Sequence, residues 1–318
     1  MDKSLIISIL IPVYNVDRYL AQCLDSVLSQ TYPHLQVVLV DDGSSDSSWE
    51  VCCKYAEIDN RVEVYHQENC GVAETRNHLI EKIKGDYFLF VDSDDWIEPD
   101  MVDSLLDMAI QNNADIVNCK NVINDANCDK GSQVFEMWSQ EQAIYLFLRH
   151  EKFRGSLCTK LVKVDLINGV RFQEGISLGE DALFCWHFLQ KAQKVLYTER
   201  EYYHYRMLED SLTHLHFGPR KMTAYIVWKA IINDVNILYP QYADVAKARF
   251  CIEMILLLRC AAQSQYPEDC DIMKLQEIIK ENVYYIKKVG MSSWRMILYG
   301  EMGAHSYSLI KAIEKWNF

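Results

Sequence analysis

Short apolar runs, each closed by a polar cluster and followed by residues at helical spacing, constrain this chain more than any other feature. Residues 6–11 are continuous, apolar and rich in isoleucine, as a strand buried on both faces must be. Pro12 and Asn15 close the run. Tyr19, Leu20, Cys23, Leu24, Val27 and Leu28 then recur at helical spacing and form one apolar stripe. Residues 35–40, 62–65 and 87–91 read as three further strands. Between them, Ser47 and Glu50 have the spacing of a capping box that opens a helix. Residues 72–83 read as another helix, and Pro99 stands where a first helical residue would, opening a helix to about residue 111. This rhythm predicts the α/β class, with a Rossmann-like, mainly parallel sheet flanked by helices.

Past about residue 120 the rhythm weakens. Residues 124–132 form a polar loop, and Ser139 with Gln142 caps the next helix. Beyond His216 the pattern turns helical over 222–238, 243–263, 271–288 and 302–316. The expected division is therefore an α/β domain over 1–215 and a mostly helical C-terminal region over 216–318.

Charge narrows the partners. The net charge of −13 repels a phosphate backbone, so nucleic acid is not an expected partner. The 11 cysteines are odd in number, scattered through apolar runs and without CxxC spacing. They read as buried free thiols in a reducing cytoplasm. The apolar run after Met1-Asp2-Lys3-Ser4 stops at Pro12 without a small-residue cleavage site, and no apolar stretch is long enough to span a bilayer. The expected location is cytoplasmic, soluble or peripheral to the inner face of a membrane.

In a parallel α/β sheet, ligands bind beyond the carboxyl ends of the strands. Three polar clusters fall there: Pro12-Val13-Tyr14-Asn15, Asp41-Asp42-Gly43-Ser44-Ser45-Asp46 and Asp92-Ser93-Asp94-Asp95. Carboxylates massed this way repel one another unless a cation sits among them, and oxygen ligands suit a hard ion such as Mg²⁺ or Mn²⁺. The sequence carries neither a Walker pattern nor GxGxxG, which excludes P-loop and dinucleotide enzymes. A nucleotide whose base and ribose meet the first two clusters, and whose diphosphate meets a metal at the third, is the ligand that remains.

The blocks Ile9-Leu10-Ile11-Pro12-Val13-Tyr14-Asn15, Val40-Asp41-Asp42-Gly43-Ser44, residues 69–77 (NCGVAETRN) and Asp92-Ser93-Asp94-Asp95 resemble those of the family 2 glycosyltransferases. The resemblance extends from about Leu5 to Thr213. It implies a GT-A fold and an inverting transfer from a nucleotide-sugar, commonly a UDP-sugar, with a divalent metal. It also implies residue roles. Pro12, Tyr14, Asn15, Asp41 and Asp42 match the part that holds base and ribose. Asp92 and Ser93 match the ribose side of the DxD block, Asp94 its metal ligand, and Arg76 a basic residue near the phosphates.

Two later blocks extend the resemblance. Ser177-Leu178-Gly179-Glu180-Asp181 looks like the family's Glu-Asp motif at a helix start. It implies Asp181 as the general base that takes the acceptor's proton, with Glu180 orienting the acceptor. Gly179 would let backbone approach the sugar. Tyr202-Tyr203-His204-Tyr205-Arg206 is also similar to a family block, implying Arg206 at the diphosphate and His204 in the metal shell. Lys160 resembles a lysine of the same relatives, many of which have tryptophan where Cys158 stands. The family reading implies a glycan or lipid-linked glycan acceptor in bacterial capsule, exopolysaccharide or other surface-glycan assembly. The C-terminal helices match no such block, and leave a homodimer interface or a membrane-facing surface open. Two rivals stand beside the transferase: a non-catalytic nucleotide-sugar or glycan-binding protein, and a sugar-phosphate nucleotidyltransferase. The second wants a glycine-rich basic loop that residues 12–15 do not offer.

Overall fold

A computed structural model of the protein describes residues 5–123, 134–208 and 217–315. The polar loop expected at 124–132 and the domain cut expected at 215/216 lie outside the described residues.

Strands β1 (Ile7–Val13), β2 (Leu35–Asp41), β3 (Val62–His66) and β4 (Tyr87–Phe90) run parallel in the spatial order β3-β2-β1-β4. Helices α1 (Asp17–Leu28), α2 (Ser48–Ile58) and α3 (Val72–Glu81) connect them. β2 is buried along its whole length, which is why its sequence is an apolar run rather than an alternation. β1 does not stop at Pro12 but continues to Val13. Leu10 accepts the last bond from β4, at Val91 N, so Pro12, two residues on, turns its missing N–H to the side where β4 has ended.

Two expected helix starts are rebuilt. The Ser47–Glu50 box is not made, since the Ser47 side chain accepts no capping bond. Asp46 instead accepts from the backbone N–H groups of Ser48 and Asp17, at 3.0 and 3.1 Å. Pro99 precedes its helix by two residues: α4 (Met101–Asn112) starts after Asp100, and the Pro99 carbonyl accepts from Thr31 N. The Ser139–Gln142 box does form, with both reciprocal bonds, ahead of α5 (Gln140–Arg149).

The sheet continues through strands that the sequence pattern did not announce: β5 (Trp96–Ile97), β6 (Ile116–Ile123), β7 (Phe135–Ser139), β8 (Lys160–Lys163) and β9 (Lys194–Tyr205). Among the described residues they complete one nine-stranded mixed sheet, mostly parallel in its paired residues. β8 lies antiparallel between β4 and β6, and β9 pairs with β6, β7 and β5. Register shifts at Asn118, Lys120 and Asn121 break the period-2 alternation of β6, which hides it in the sequence.

By contacts the chain forms two compact units. The first holds Met1–Ile144, Gly155–Glu174 and Phe184–Leu208; the second holds Tyr145–Arg154, Gly175–Leu183 and Glu209–Phe318. The start of α6 (Glu180–Leu189) thus belongs to the second unit and its remainder to the first. The second unit is built on α7 (Thr223–Leu238), α8 (Ala243–Gln263), α9 (Cys270–Val289), α10 (Trp294–His305) and α11 (Tyr307–Lys315). The helix expected over 302–316 is two helices broken at Ser306, whose φ of −154° is extended. Gly300 and Gly303 both lie inside α10 and are buried. A Cβ on either would stand 2.6 Å from Ile255 or 2.8 Å from Leu258 of α8, so these glycines are there for close helix packing.

Every described cysteine is free; Cys23, Cys52, Cys119, Cys158, Cys185 and Cys251 are buried as expected, whereas Cys53 and Cys260 are half-buried and Cys70 and Cys270 exposed.

Candidate active site

Because β2, β1 and β4 are parallel neighbours, their carboxyl ends share one edge of the first unit. That edge gathers Tyr14 and Asn15, Asp41 and Asp42, and the segment from Asp92 to Asp95. The two aspartates after β2 have different surroundings. Asp41 is fully buried; its Oδ2 accepts from His66 Nδ1 at 2.7 Å and from Ser44 N at 3.3 Å, while Oδ1 has no partner. Asp42 gathers the loop that precedes α3. Its Oδ1 accepts from Cys70 N (2.9 Å) and Gln67 Nε2 (2.8 Å), and its Oδ2 from Gly71 N (2.9 Å).

Asn15 ties the end of β1 to the same region. Its backbone sits at φ +50°, a conformation that asparagine tolerates, and its Oδ1 accepts from Ser45 N at 2.8 Å. Tyr14 beside it is half exposed, and Pro12 pairs with Val40 of β2. The loops interlock at Gly43, where φ is +71° and a Cβ would meet Asn69 N at 2.9 Å.

The segment after β4 is the most charged part of the edge. Asp92 is held from two sides, by Arg76 at 3.4 Å on Oδ1 and by the Cys158 thiol at 3.1 Å on Oδ2. Arg76 is buried against the rings of Phe90 and Phe172, 5.9 and 5.7 Å from their centres. Ser93 is buried. Burial, reinforced by the charge of Asp92, pushes the Asp94 carboxyl up to about 6. The same two causes push Asp95 up to about 8. The nearby Cys23 thiol is raised well above its usual range, first by burial and then by Asp95, Asp94 and Asp92. Burial first, and repulsion among the three aspartates second, thus disfavour full ionisation of this segment.

β9 holds this segment in place. Tyr203 Oη donates to Asp95 Oδ2 at 2.6 Å and accepts from Asp92 N at 3.1 Å. Arg206 donates through its backbone N to Asp95 Oδ1 (2.7 Å), through Nε to the Asp94 carbonyl (2.8 Å) and through its terminal nitrogen to Gln22 (2.7 Å). Its guanidinium lies over Tyr19 and Trp96, 4.9 and 4.6 Å from the ring centres. Arg206, expected at the diphosphate, thus also braces the aspartate segment. His204 pairs with Trp96 across β9 and β5, stacks on it at 4.7 Å and bonds Glu98 Oε1 through Nε2 at 2.8 Å. In this structure the Nε2 position of His204 is thus engaged by Glu98.

Among the described residues, no three His, Cys, Asp or Glu side chains assemble into a metal site. The donor set fits a hard ion that takes one or two carboxylates from the protein and its remaining ligands from phosphate and water.

Glu180 and Asp181 lie in the second unit, half-buried in the first turn of α6. The turn before them is set by Gly179 at φ +92°, a value a side chain would strain, and by Thr223 Oγ1, which accepts from Ser177 N and Leu178 N. A Cβ on Gly179 would stand 3.4 Å from Val227 of α7. Lys160, noted from the sequence, is buried, with Nζ on the Ser156 carbonyl.

Sequence reasoning missed His66 and Tyr203 as holders of the aspartates. The signal for His66 was its place as last residue of the third strand, in register with Asp41. For Tyr203 it was the quoted block itself, once read as a strand crossing the aspartate segment.

Comparison with known proteins bears on the family and the fold. The family described as Glycosyl transferase family 2 matches residues 8–169. Glycosyltransferase GlyA of Streptococcus pneumoniae is 34% identical over 79% of this chain and 38% of that protein. The minor teichoic acid biosynthesis protein GgaB of Bacillus subtilis is 27% identical over 64% of this chain and 23% of that one. The chain thus spans well under half the length of either. Among solved structures, S. aureus TarS 1-349 in complex with UDP-GlcNAc superposes with a TM-score of 0.71 at 20% identity, covering 98% of this chain and 92% of that one. The mannosyltransferase PcManGT of Pyrobaculum calidifontis, with GDP-Man and Mn²⁺, gives 0.57 at 14% identity, over 98% and 87%. These likenesses fix a GT-A-type fold, and the family match covers just over half of the sequence: the chain belongs to glycosyl transferase family 2.

Proposed function

We propose that this protein transfers a sugar, with inversion, from a nucleotide-diphosphate sugar to a hydroxyl of a glycan or lipid-linked glycan. The nucleotide is a uridine diphosphate on this reading, and the pathway is bacterial surface-glycan assembly at the cytoplasmic face of the membrane. The observation that carries the reading is the aspartate segment after β4, where burial and mutual repulsion hold Asp94 and Asp95 against ionisation. Such an edge suits a ligand that arrives with a divalent cation. Support for the donor comes from the UDP-GlcNAc bound to TarS, and for the pathway from the teichoic acid role named for GgaB. No helix among the described residues is long and apolar enough to cross a membrane.

In this reading Tyr14, exposed at the end of β1, meets the base, and the loop gathered by Asp42 borders it. Asp92, held by Arg76 and Cys158, faces the ribose side, and Asp94 ligates Mn²⁺ or Mg²⁺. Bound there, the ion would offset the charge that develops on the departing diphosphate. Asp181 takes the proton of the acceptor hydroxyl as its oxygen attacks the anomeric carbon, with Glu180 orienting the acceptor. Adjacent residues on a helix diverge by about a hundred degrees, so only one of the pair can face that oxygen. A panel of nucleotide-sugars incubated with the protein and Mn²⁺, with nucleotide release as the readout, tests the reading. Binding without release from any donor would leave a nucleotide-sugar-binding protein instead.

A further inference from the structure

His66 is a half-exposed histidine whose Nδ1 reaches a completely buried carboxylate, Asp41, at 2.7 Å. The strand register sets the pair side by side, Asp41 as the last residue of β2 and His66 as the last of β3. With Asp41 ionised, Nδ1 carries the proton and donates it. The histidine ring also packs against Trp49 of α2, 5.1 Å between centres, so its plane is supported from the helix side. Since Asp41 Oδ1 has no partner, the buried carboxylate depends on Oδ2 alone, and there on His66 and a long 3.3 Å bond from Ser44 N. A buried carboxylate left with one long bond cannot keep its place, because the desolvation of the charge is no longer matched.

The consequence reaches the next residues on both strands. The backbone carbonyl of Asp41 accepts from Gln67 N, and Gln67 Nε2 donates to Asp42. Asp42 in turn collects the N–H groups of Cys70 and Gly71. Gly43 fits against Asn69 with no room for a side chain. His66 therefore stands at the root of the interlock between the loop after β2 and the loop before α3.

We infer that His66 is a positioning residue for the nucleotide end of the site: its bond to Asp41 pins β2 to β3 and so fixes the 67–71 loop that Asp42 gathers. This rests on the reading above that a nucleotide occupies this edge. The pin itself is tested without any ligand. Asparagine carries an amide nitrogen near the place of Nδ1, whereas glutamine carries it one bond further out. In the ligand-free protein, H66A should speed amide hydrogen exchange at Cys70 and Gly71 about tenfold, the loss of roughly one hydrogen bond to a charged group. H66N should restore protection and H66Q should not, all three variants staying folded by circular dichroism. With donor present, H66A should raise KM for the nucleotide-sugar about tenfold and leave kcat at saturation unchanged, again reversed by H66N. Wild-type protection at Cys70 and Gly71 in H66A, or equal rescue by H66Q and H66N, overturns the inference. The expected exchange pattern in a wild-type protein that binds no nucleotide would sustain the pin and overturn the nucleotide reading alone.

Discussion

Tyr203→Phe removes one oxygen atom and nothing else, yet it strikes the segment on which the proposed chemistry depends. The Tyr203 ring is buried, and its hydroxyl is both the donor to Asp95 Oδ2 and the acceptor for Asp92 N. Two hydrogen bonds are lost, with a net contribution of about 0.5–1.5 kcal/mol each, and the Asp95 oxygen left behind is buried. An unsatisfied buried polar group adds about 1–3 kcal/mol, so a loss of roughly 2–6 kcal/mol of stability is expected. Asp95 keeps its bond from Arg206 N, which limits the damage to the lower half of that range. Urea denaturation monitored by far-ultraviolet circular dichroism measures the change, and a Mn²⁺ titration reports whether the aspartate segment has moved. A stability change below about 0.5 kcal/mol with unaltered Mn²⁺ binding would refute the reasoning, because the segment would then be held by something other than Tyr203.

Asp181→Asn keeps the shape of the side chain but cannot take a proton, and should lower kcat by a factor of about 10²–10⁴ while UDP affinity by calorimetry stays at the wild-type value. Turnover at the wild-type rate would move the role to Glu180. Gly43→Ala places a Cβ 2.9 Å from Asn69 N at φ +71°, and should cost about 1–3 kcal/mol by thermal or urea denaturation. A neutral result would show that the two loops can separate freely.

Much of the first unit was legible in the sequence, and the reason is burial. β1, β2 and β4 are covered on both faces, so their residues are apolar but for the buried pair Ser8 and Gln36, which bond each other, and the polar clusters at their ends stand out. The aspartates at those ends were legible for the same reason. What was not legible depends on partners far away in the chain. β6 and β9 carry Asn118, Lys120, Glu199 and Glu201 within them, and Lys120 pairs with Glu201 across the bulge at 3.0 Å. Neither strand shows the regular alternation by which a sequence announces itself. The braces of the site were hidden likewise: Tyr203 lies 108 residues from Asp95, and His66 lies 25 residues from Asp41. Sequence pattern gave Arg206 and His204 chemical roles because both residue types suit phosphate and metal. The structure shows partners within the chain that the pattern could not announce, Gln22 and the Asp94 carbonyl for one, Glu98 and Trp96 for the other.

The central claim is that a cation held by Asp94 lets this edge of the sheet activate a nucleotide-sugar. Its most direct measurement is nucleotide release from the best donor of the panel, in Mn²⁺, in excess EDTA, and in an Asp94→Asn variant with Mn²⁺ restored. The account predicts release in the first case only, with Asp94→Asn folded by circular dichroism yet needing far more Mn²⁺ to bind donor. Full release in EDTA, or an Asp94→Asn variant with wild-type turnover, would contradict it.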